Sequence, residues 1–331
     1  MSGYMNFGVR RYAGLLAAAL AWSVAAIAQE WPVRPVRVTV PALPGSGPDL
    51  TIRMLAEQIG KNPGAPLVII NKPGGIGIPA VIELARATPD GNSLLVGNIN
   101  TNGLGPALHA KKYGFDVKSG IQPVTLLSDG PSTLIASRAT PATFRDAMSV
   151  WKANPGKYAY FAAGVGSIGH IWFAKLLEPL GLNLLFVPVK GGSEGLQLLF
   201  DGSVHYAYTP LSVFTGQIRD GKIRALFVTS QSRIAEFPEV PTQREVGLTD
   251  DFEITAWVGL FAPPGMRPDL LNRVHGTFTT AVNRPETGER YKNLFMVQKA
   301  SASPAEFKKF VDGRIDDYRV VAERARIKVD E

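Results

Sequence analysis

The chain has 331 residues, a net charge of +7 at pH 7, four histidines and no cysteine. The absence of cysteine excludes disulfides and thiolate chemistry, and the scattered histidines lack a metal-ligand spacing such as H-E-x-x-H. The basic residues form no stripe with interleaved aromatic residues, so nucleic-acid binding is not expected. The length is sufficient for a large core or for two lobes.

The first 28 residues have the layout of a signal peptide. Arg10 and Arg11 precede an apolar, alanine-rich run over residues 12–27, and residues 26–28 form an A-x-A cleavage motif. We therefore expect export and a mature chain that begins at Gln29. An uncleaved membrane anchor is the alternative, but the run is shorter than the roughly 20 residues that a spanning helix needs.

Beyond this segment, strand-like and helix-like stretches alternate, which is typical of an α/β protein with largely parallel sheets. The predicted strands cover residues 36–40, 66–71, 93–97, 123–127, 132–136, 158–162, 184–188, 205–208, 225–229 and 255–262. The predicted helices cover residues 50–59, 79–87, 144–154, 170–180, 196–201, 213–220, 267–283 and 286–295. A last helix is expected to begin at a capping box formed by Ser303 and Glu306. Its apolar face is predicted to consist of Phe307, Phe310, Val311, Ile315 and Tyr318.

Residues 36–49, VRVTVPALPGSGPD, predict a strand, a Gly/Pro loop and the start of a helix. Such a unit directs free backbone N–H groups and the positive end of a helix at the space above the loop. It can hold an anion, typically a carboxylate, without a charged side chain. Asp49 near the helix start is either a ligand contact or a cap of its own helix.

The pattern of strand, glycine loop and helix occurs around residues 36–97 and again around residues 158–208. Two similar units of this size suggest two lobes that face each other across a cleft. The N-termini of helices from both lobes would then point into the cleft, where open α/β sheets bind ligands.

Residues 164–169, GVGSIG, match G-x-G-x-x-G between a strand and a helix, which is the context of a dinucleotide-binding turn. The next strand offers no Asp or Glu for a ribose hydroxyl, so we expect no cofactor and interpret the loop as an anion-binding turn. His170 follows the loop and is either a local hydrogen-bond partner or a group that faces the cleft.

Residues 191–195, GGSEG, match the G-x-S-x-G nucleophile elbow of secreted hydrolases. Ser193, a downstream acid and either His205 or His275 could complete a catalytic triad. Lys190 and two glycines separate Ser193 from the preceding strand, so the turn is not sharp. A secreted serine hydrolase that uses Ser193 is therefore the alternative function.

Two further loops follow predicted strands. Asn98–Asn102, NINTN, offers short polar side chains that either donate to a ligand or form an ordinary turn. Residues 71–77, NKPGGIG, form either a tight turn or a backbone contact at the cleft, and they lack the Gly-Lys-Ser/Thr ending of a Walker A loop.

Taken in order and spacing, these segments resemble the extracytoplasmic solute receptors of tripartite tricarboxylate transporters, also called Bug proteins. The resemblance covers nearly the whole chain after residue 28. It is carried by VRVTVPALPGSGPD (36–49), NKPGGIG (71–77), TPDG (88–91), PVTLLS (123–128), AAGVGSIGH (162–170), VPVKGG (187–192), DGSV (201–204), GKIRALFVTS (221–230), PEVPT (238–242) and ITAWVGLFAPPG (254–265).

The resemblance implies a type II-like periplasmic binding protein fold of two α/β lobes, each a mostly parallel sheet flanked by helices. It places residues 29–127 and 255–331 in lobe 1 and residues 128–254 in lobe 2, with crossings near Ser128 and Thr255. It implies a periplasmic, monomeric receptor without enzymatic activity that closes around a small carboxylate and delivers it to integral membrane transporter subunits. The expected ligand-binding residues are Ala42, Leu43, Pro44, Gly45, Ser46, Asp49, Asn98, Asn100, Thr101, Ala163, Gly164, Gly166, Ser167, His170, Lys190 and Thr209.

The chain departs from the family pattern at positions that bear on the ligand. Ala42 stands where the first loop usually has an aromatic residue, and Ser46 stands in place of a glycine. An aspartate often found at the position of Thr209 is absent, which argues against an amino-acid ligand. A usual pair of hydroxyl residues is replaced by Ile168-Gly169, which points to a less polar aliphatic or aromatic carboxylate.

Overall fold

We describe the protein from a computed structural model, in which residues 31–32, 34–60, 66–189 and 192–327 are described. The predicted signal peptide and the candidate ligand residue Lys190 lie outside these ranges. No helix within them is both long enough and apolar enough to cross a bilayer.

The strands are β1 (Val36–Val40), β2 (Leu67–Asn71), β3 (Ser93–Asn98), β4 (Gln122–Ser128), β5 (Ser132–Ser137), β6 (Ala159–Ala162), β7 (Leu185–Pro188), β8 (Tyr206–Pro210), β9 (Ile223–Val228) and β10 (Val258–Ala262). The helices are α1 (Gly47–Ile59), α2 (Ile78–Ala85), α3 (Gly105–Leu108), α4 (Ala110–Tyr113), α5 (Val117–Gly120), α6 (Phe144–Ala153), α7 (Ile168–Leu177), α8 (Gly192–Phe200), α9 (Thr215–Arg219), α10 (Pro268–Val282), α11 (Pro285–Lys292) and α12 (Pro304–Arg324). Single 3-10 turns occupy Gly75–Gly77, Leu211–Val213 and Asp250–Phe252, and Ile99–Leu104 is π-helical.

The ten strands form two five-stranded sheets of equivalent topology, with orders β2-β1-β3-β10-β4 and β7-β6-β8-β5-β9. In each sheet three neighbouring strands are parallel, while β10 and β5 run antiparallel to both of their neighbours. The α/β architecture is confirmed, and both sheets are mixed. The antiparallel strands are the first that the chain forms after each passage from one sheet to the other.

The chain passes between the sheets through residues 129–131 and again through residues 229–257. The two passages lie side by side, because the Ala256 N–H donates to the Gly130 carbonyl at 2.9 Å. We call the first sheet with its helices the first lobe, and the second sheet with its helices the second lobe. A double connection of this kind leaves a cleft between them.

The core of the first lobe follows the expected residue patterns. Val36, Val38 and Val40 of β1 are buried on one face, as alternation in a strand predicts. The last helix begins as predicted, since the Glu306 N–H donates to Ser303 Oγ at 3.1 Å. Its predicted apolar face packs toward β4, with four of the five side chains buried and Phe310 partly buried.

Three helices begin two to four residues earlier than the sequence predicts. The starts at Gly47, Ile168 and Gly192 each extend a helix back into a glycine-containing loop. Pro48 is compatible with the earlier start of α1. Proline lacks a backbone N–H, and an N–H in the first helical turn would have no partner within the helix. The predicted helix over residues 213–220 is instead a 3-10 turn followed by α9. The helical region over residues 99–120 was not predicted.

Glycine is required where β10 meets the last helix. A Cβ at Gly259 would overlap the ring of Phe307, which is itself fully buried. We expect Gly259→Ala to lower the free energy of unfolding by about 1–3 kcal/mol, the usual cost of overpacking a core. Chemical denaturation monitored by circular dichroism measures this change.

The matched control is Gly276→Ala in α10, where an added Cβ has no neighbour within 4 Å. We expect that variant to raise the free energy of unfolding by about 0.5–1 kcal/mol, because alanine favours a helix interior over glycine. Equal effects of the two substitutions would contradict the packing argument.

Candidate ligand-binding site

A cavity of about 380 Å³ lies in the cleft and is lined by both lobes. The first lobe contributes Pro41, Ala42, Ile76, Asn98, Asn100, Thr101, Leu104, Gly105, Leu108 and His109, and the second contributes Ala163, Val165, Gly166, Ser167 and Ile168. Larger grooves of about 760, 690 and 590 Å³ occur elsewhere on the surface, but each of these three is lined by one lobe only. A cavity of about 190 Å³ between α7 and α12 is also shared by the two lobes, but none of the candidate ligand residues lines it. We therefore take the larger shared cavity, in the cleft, as the candidate site.

Two loops at the cleft end in the same backbone conformation. Loop 1 (residues 43–46) precedes α1, and loop 2 (residues 164–167) precedes α7. The third position is a glycine in the left-handed region in both, with φ of +78° at Gly45 and +77° at Gly166. The fourth is a serine with φ/ψ of −72°/162° at Ser46 and −71°/165° at Ser167. The internal repeat predicted from the sequence is therefore visible in backbone detail.

In both loops the serine hydroxyl turns back to the loop rather than capping the helix. Ser46 Oγ donates to the Leu43 carbonyl at 2.6 Å, and Ser167 Oγ donates to the Gly164 carbonyl at 2.8 Å. Neither side chain accepts a hydrogen bond from the helix that follows. The first-turn amides of α1 and α7 consequently have no protein acceptor among the described residues.

A side chain four residues later closes each loop. The Gly45 N–H donates to Asp49 Oδ2 at 2.8 Å, and the Gly166 N–H donates to His170 Nδ1 at 3.0 Å. We call these two contacts the loop clasps. They leave the glycine amides satisfied and hold each loop in position over the start of its helix.

Asp49 is a structural residue in this arrangement. Its side chain is 1% exposed and also accepts hydrogen bonds from Arg53 Nε and Asn71 Nδ2, both at 2.9 Å. Burial raises the pKa of Asp49, but the hydrogen bonds from Arg53, Gly45 and Asn71 outweigh it and the net pKa is lowered. Asn71 also donates to the Ala42 carbonyl at 3.1 Å, which ties the loop to the end of β2.

His170 makes the equivalent loop contact in the second lobe. Its ring stacks on Phe186 at a centroid distance of 4.1 Å, and burial lowers the pKa of the imidazole. A neutral ring with an unprotonated Nδ1 is the form that accepts the Gly166 bond. Neither clasp residue lines the cavity.

The NINTN segment supplies the polar side chains of the first lobe. Asn98 Oδ1 accepts from the N–H groups of Asn100 and Thr101 at 2.8 and 3.1 Å, and Thr101 Oγ1 accepts from the Asn98 N–H at 2.9 Å. These bonds form a reciprocal cap on the π-helical turn. The Asn100 side chain is exposed and has no partner within the described part of the chain, so it is free to bond a ligand.

The cavity brings together seven of the candidate ligand residues: Ala42, Asn98, Asn100, Thr101, Ala163, Gly166 and Ser167. The remaining described candidates lie beside the cavity or behind it: Leu43, Pro44, Gly45, Ser46, Asp49, Gly164, His170 and Thr209. Thr209 is buried in β8 opposite Thr133. Lys190 is outside the described residues.

Several lining residues are not predicted from the sequence, and among them His109 has a side chain that can donate, accept or titrate. His109 follows α3, and its buried Nδ1 atom has no hydrogen-bond partner in the described part of the chain. Burial, followed by the charge of Lys112, lowers the pKa of His109. No sequence signal indicated this residue, because the short helices around it were not predicted. Within the described ranges, no group of three or more metal-ligating side chains is clustered.

Ile168 and Gly169, which replace the usual pair of hydroxyl residues, have different structural roles. Ile168 lines the cavity, so the loss of a hydroxyl there changes the site. A Cβ at Gly169 would lie 2.7 Å from the Tyr208 carbonyl, so glycine at this position has a packing reason. Only residue 168 therefore supports the inference of a less polar ligand.

The structure does not assemble a triad around Ser193. Ser193 is exposed at the start of α8 and is not among the cavity-lining residues. His205 Nδ1 accepts from the Ala159 N–H at 3.1 Å, and His275 Nε2 is bonded to the Ser301 carbonyl at 3.0 Å. Both candidate bases are thus engaged with the backbone.

We expect Asp49→Asn to lower the free energy of unfolding by about 1.5–3 kcal/mol at pH 7, because hydrogen bonds to a charged acceptor are lost. Since the folded-state pKa of Asp49 is lowered, its contribution is present above the unfolded-state pKa and is lost as pH falls through the folded-state value. The difference between wild type and variant should therefore shrink below about pH 4. Urea titrations from pH 7 to pH 3 measure it.

Asp269→Asn is the control, since Asp269 also lies in the first turn of a helix but is exposed and pairs with Arg267 at 3.2 Å. We expect a change within about 0.5 kcal/mol for it. A stability difference at Asp49 that stays constant down to pH 3 would contradict the clasp.

Comparisons with known proteins agree with this geometry. The family model described as "Tripartite tricarboxylate transporter family receptor" matches residues 51–324. A UPF0065 protein of Bordetella pertussis is 32% identical over 259 residues, which are 78% of this chain and 79% of that protein.

Two solved structures are similar over most of their length. The periplasmic binding protein BugD superposes with a TM-score of 0.72 at 28% identity, covering 90% of this chain and 99% of that chain. MatC from Rhodopseudomonas palustris with bound malate has a TM-score of 0.71 at 28% identity, covering 88% and 99%. The chain therefore belongs to the family of tripartite tricarboxylate transporter receptors.

Proposed function

We propose that this protein is an extracytoplasmic solute receptor that binds a small carboxylate in the cleft and delivers it to a tripartite membrane transporter. The observation that carries the proposal is the cavity lined by both lobes, with the amino end of α7 at its wall. The related MatC structure holds malate, which supports a carboxylate as the ligand class. Membership of a receptor family contradicts the serine hydrolase alternative.

The carboxylate is held mainly by backbone groups and dipoles in this proposal. None of the described residues that line the cavity is Lys, Arg, Asp or Glu. Unbonded N–H groups at the start of α7 and the positive end of that helix provide the attraction for an anion. In this proposal the side-chain amide of Asn100 donates to the ligand and orients it. The absence of an acidic group among these lining residues also leaves an amino-acid ammonium without a partner.

The remaining wall favours a ligand with an apolar body. Ala42, Leu104, Leu108 and Ile168 present hydrocarbon surface to the cavity. Apolar walls with a few placed polar groups are typical of small-molecule sites. We therefore propose an aliphatic or aromatic carboxylate rather than a highly hydroxylated one.

Lobe closure is the proposed mechanism. A ligand that contacts both lobes stabilises the closed form by its differential affinity for the two states. We assign residues 29–127 and 255–331 to one moving body and residues 128–254 to the other, with hinges at the crossings near residues 129–131 and 255–257. We further propose a monomer, exported to the periplasm by a signal peptide over residues 1–28, whose partners are the membrane subunits of the transporter.

Mass spectrometry of small molecules released by mild denaturation of the purified protein tests the ligand class directly. A thermal-shift panel of mono-, di- and tricarboxylates complements it, since a ligand at 100 times its Kd stabilises the fold by about 2.7 kcal/mol. A released or stabilising carboxylate supports the proposal. The absence of any response across the panel would overturn it.

Substitution of Ile168 by proline measures how much the backbone N–H of residue 168 contributes to the affinity for the ligand. Proline is tolerated at this first helical position, and Ser167 before it already has an extended backbone. We expect Ile168→Pro to bind the carboxylate about 10- to 150-fold more weakly than Ile168→Ala, because a hydrogen bond to a charged group contributes about 1.5–3 kcal/mol. Isothermal titration calorimetry measures both affinities.

The alanine variant is the matched control, because it loses the same side chain and keeps the N–H. Equal unfolding midpoints without ligand show that both variants are folded. Equal affinities would mean that the amino end of α7 does not hold the carboxylate.

A further inference from the structure

Ile76 has a backbone conformation that is rare for its residue type. It lies in the turn Gly75–Gly77 with φ of +55° and ψ of +19°. A β-branched residue in the left-handed region is a genuine outlier, because its side chain is crowded by its own backbone. Glycine adopts the same conformation without this cost.

The surroundings of Ile76 hold the turn in place. The Gly77 N–H donates to the Gly74 carbonyl at 2.9 Å, and the Lys72 N–H donates to the Val40 carbonyl at 2.8 Å. A Cβ at Gly77 would overlap Thr101 and lie 3.0 Å from Pro41, so the turn is packed tightly against the NINTN segment and the end of β1. Strained residues persist only where the surrounding structure fixes them in this way, and they are concentrated at functional sites.

The Ile76 side chain is not part of the buried core. It is 49% exposed, yet it lines the cavity in the cleft. Val165 of loop 2 lines the same cavity from the second lobe and is 47% exposed. Ile76 therefore offers a half-covered hydrocarbon surface at the cleft, with an equally uncovered apolar residue contributed by the other lobe.

We propose that Ile76 is a specificity-determining residue that packs against the hydrocarbon part of the bound carboxylate and selects for longer aliphatic or aromatic bodies. The inference rests on the proposed receptor function and adds one residue of this chain that sets the ligand preference. The turn holds the side chain at the cavity wall whether or not a ligand is present. The cost of the left-handed backbone is then balanced by affinity for ligands with an apolar surface.

The test compares wild type with Ile76→Gly and Ile76→Asn, two residues that accept the left-handed conformation. Calorimetric titrations use straight-chain monocarboxylates from acetate to octanoate and dicarboxylates from succinate to suberate. Wild type should bind the longer members of at least one series more tightly than the shorter ones. Both variants should lose about tenfold in affinity for the longest member, the effect of uncovering an aliphatic side chain, and little for the shortest.

Arg326→Gly is the matched control for backbone strain, since Arg326 also has a left-handed φ of +53° but is exposed and does not line the cavity. The unfolding midpoint without ligand should rise for Ile76→Gly and for Arg326→Gly alike. The dependence of affinity on chain length should change only in the Ile76 variants.

Four outcomes would overturn the inference. An unchanged dependence on chain length in both Ile76 variants removes Ile76 from the recognition of the ligand while leaving the receptor proposal intact. A fall in the unfolding midpoint of both variants shows that the side chain supports the fold instead. If wild type binds another carboxylate but no member of either series, this inference fails while the receptor proposal stands. If wild type binds no carboxylate at all, both fail.

Discussion

The site depends on one type of hydrogen bond that occurs twice, between a loop glycine amide and a side chain four residues later. Gly45 is bonded to Asp49 in the first lobe, and Gly166 is bonded to His170 in the second. Each bond fixes its loop, and the serine hydroxyl bonds back within the same loop, so the first amides of the following helix have no acceptor among the described residues. The acceptors differ: a buried carboxylate needs Arg53 and Asn71 beside it, whereas a neutral imidazole needs only a stacking partner.

The repeated clasp belongs to a repeated topology. The two sheets share one strand order, and β1 with α1 corresponds to β6 with α7. The two loops share the φ of the glycine and the φ and ψ of the serine, whereas their first residues differ, since Gly164 but not Leu43 has a left-handed φ. The lobes are not equal at the cavity, because the first contributes the NINTN segment and the second contributes the helix start at Ser167 and Ile168. One lobe thus supplies amide side chains and the other supplies backbone donors, a division suited to a ligand with two different ends.

Much of this arrangement follows from local sequence signals. Alternating valines predicted β1, and the Ser303 cap predicted the start of α12, because both are set by neighbours in the chain. The region over residues 99–120 was missed because Gly103, Gly105 and Pro106 are typical helix breakers, and His109 was missed with it. The role of Asp49 remained open for a different reason: Asn71 is distant in sequence, and only the folded chain brings the two together. Gly169 was interpreted through ligand polarity, whereas it packs on the backbone of β8.

The exposed apolar residues at the cleft link this structure to its proposed motion. Leu43, Ile76 and Val165 are 65%, 49% and 47% exposed, and they come from three loops of two lobes. Exposure of this apolar surface to water is unfavourable in free energy, and burial removes the penalty. A ligand that fills the cavity between these loops would cover part of this surface. The free energy gained by this burial would favour the approach of the two lobes. Apolar contact would then contribute to closure, while the amides at the helix ends supply the preference for an anion. In the proposed receptor these two contributions would act on different parts of one ligand, so that charge and hydrocarbon size would be selected separately.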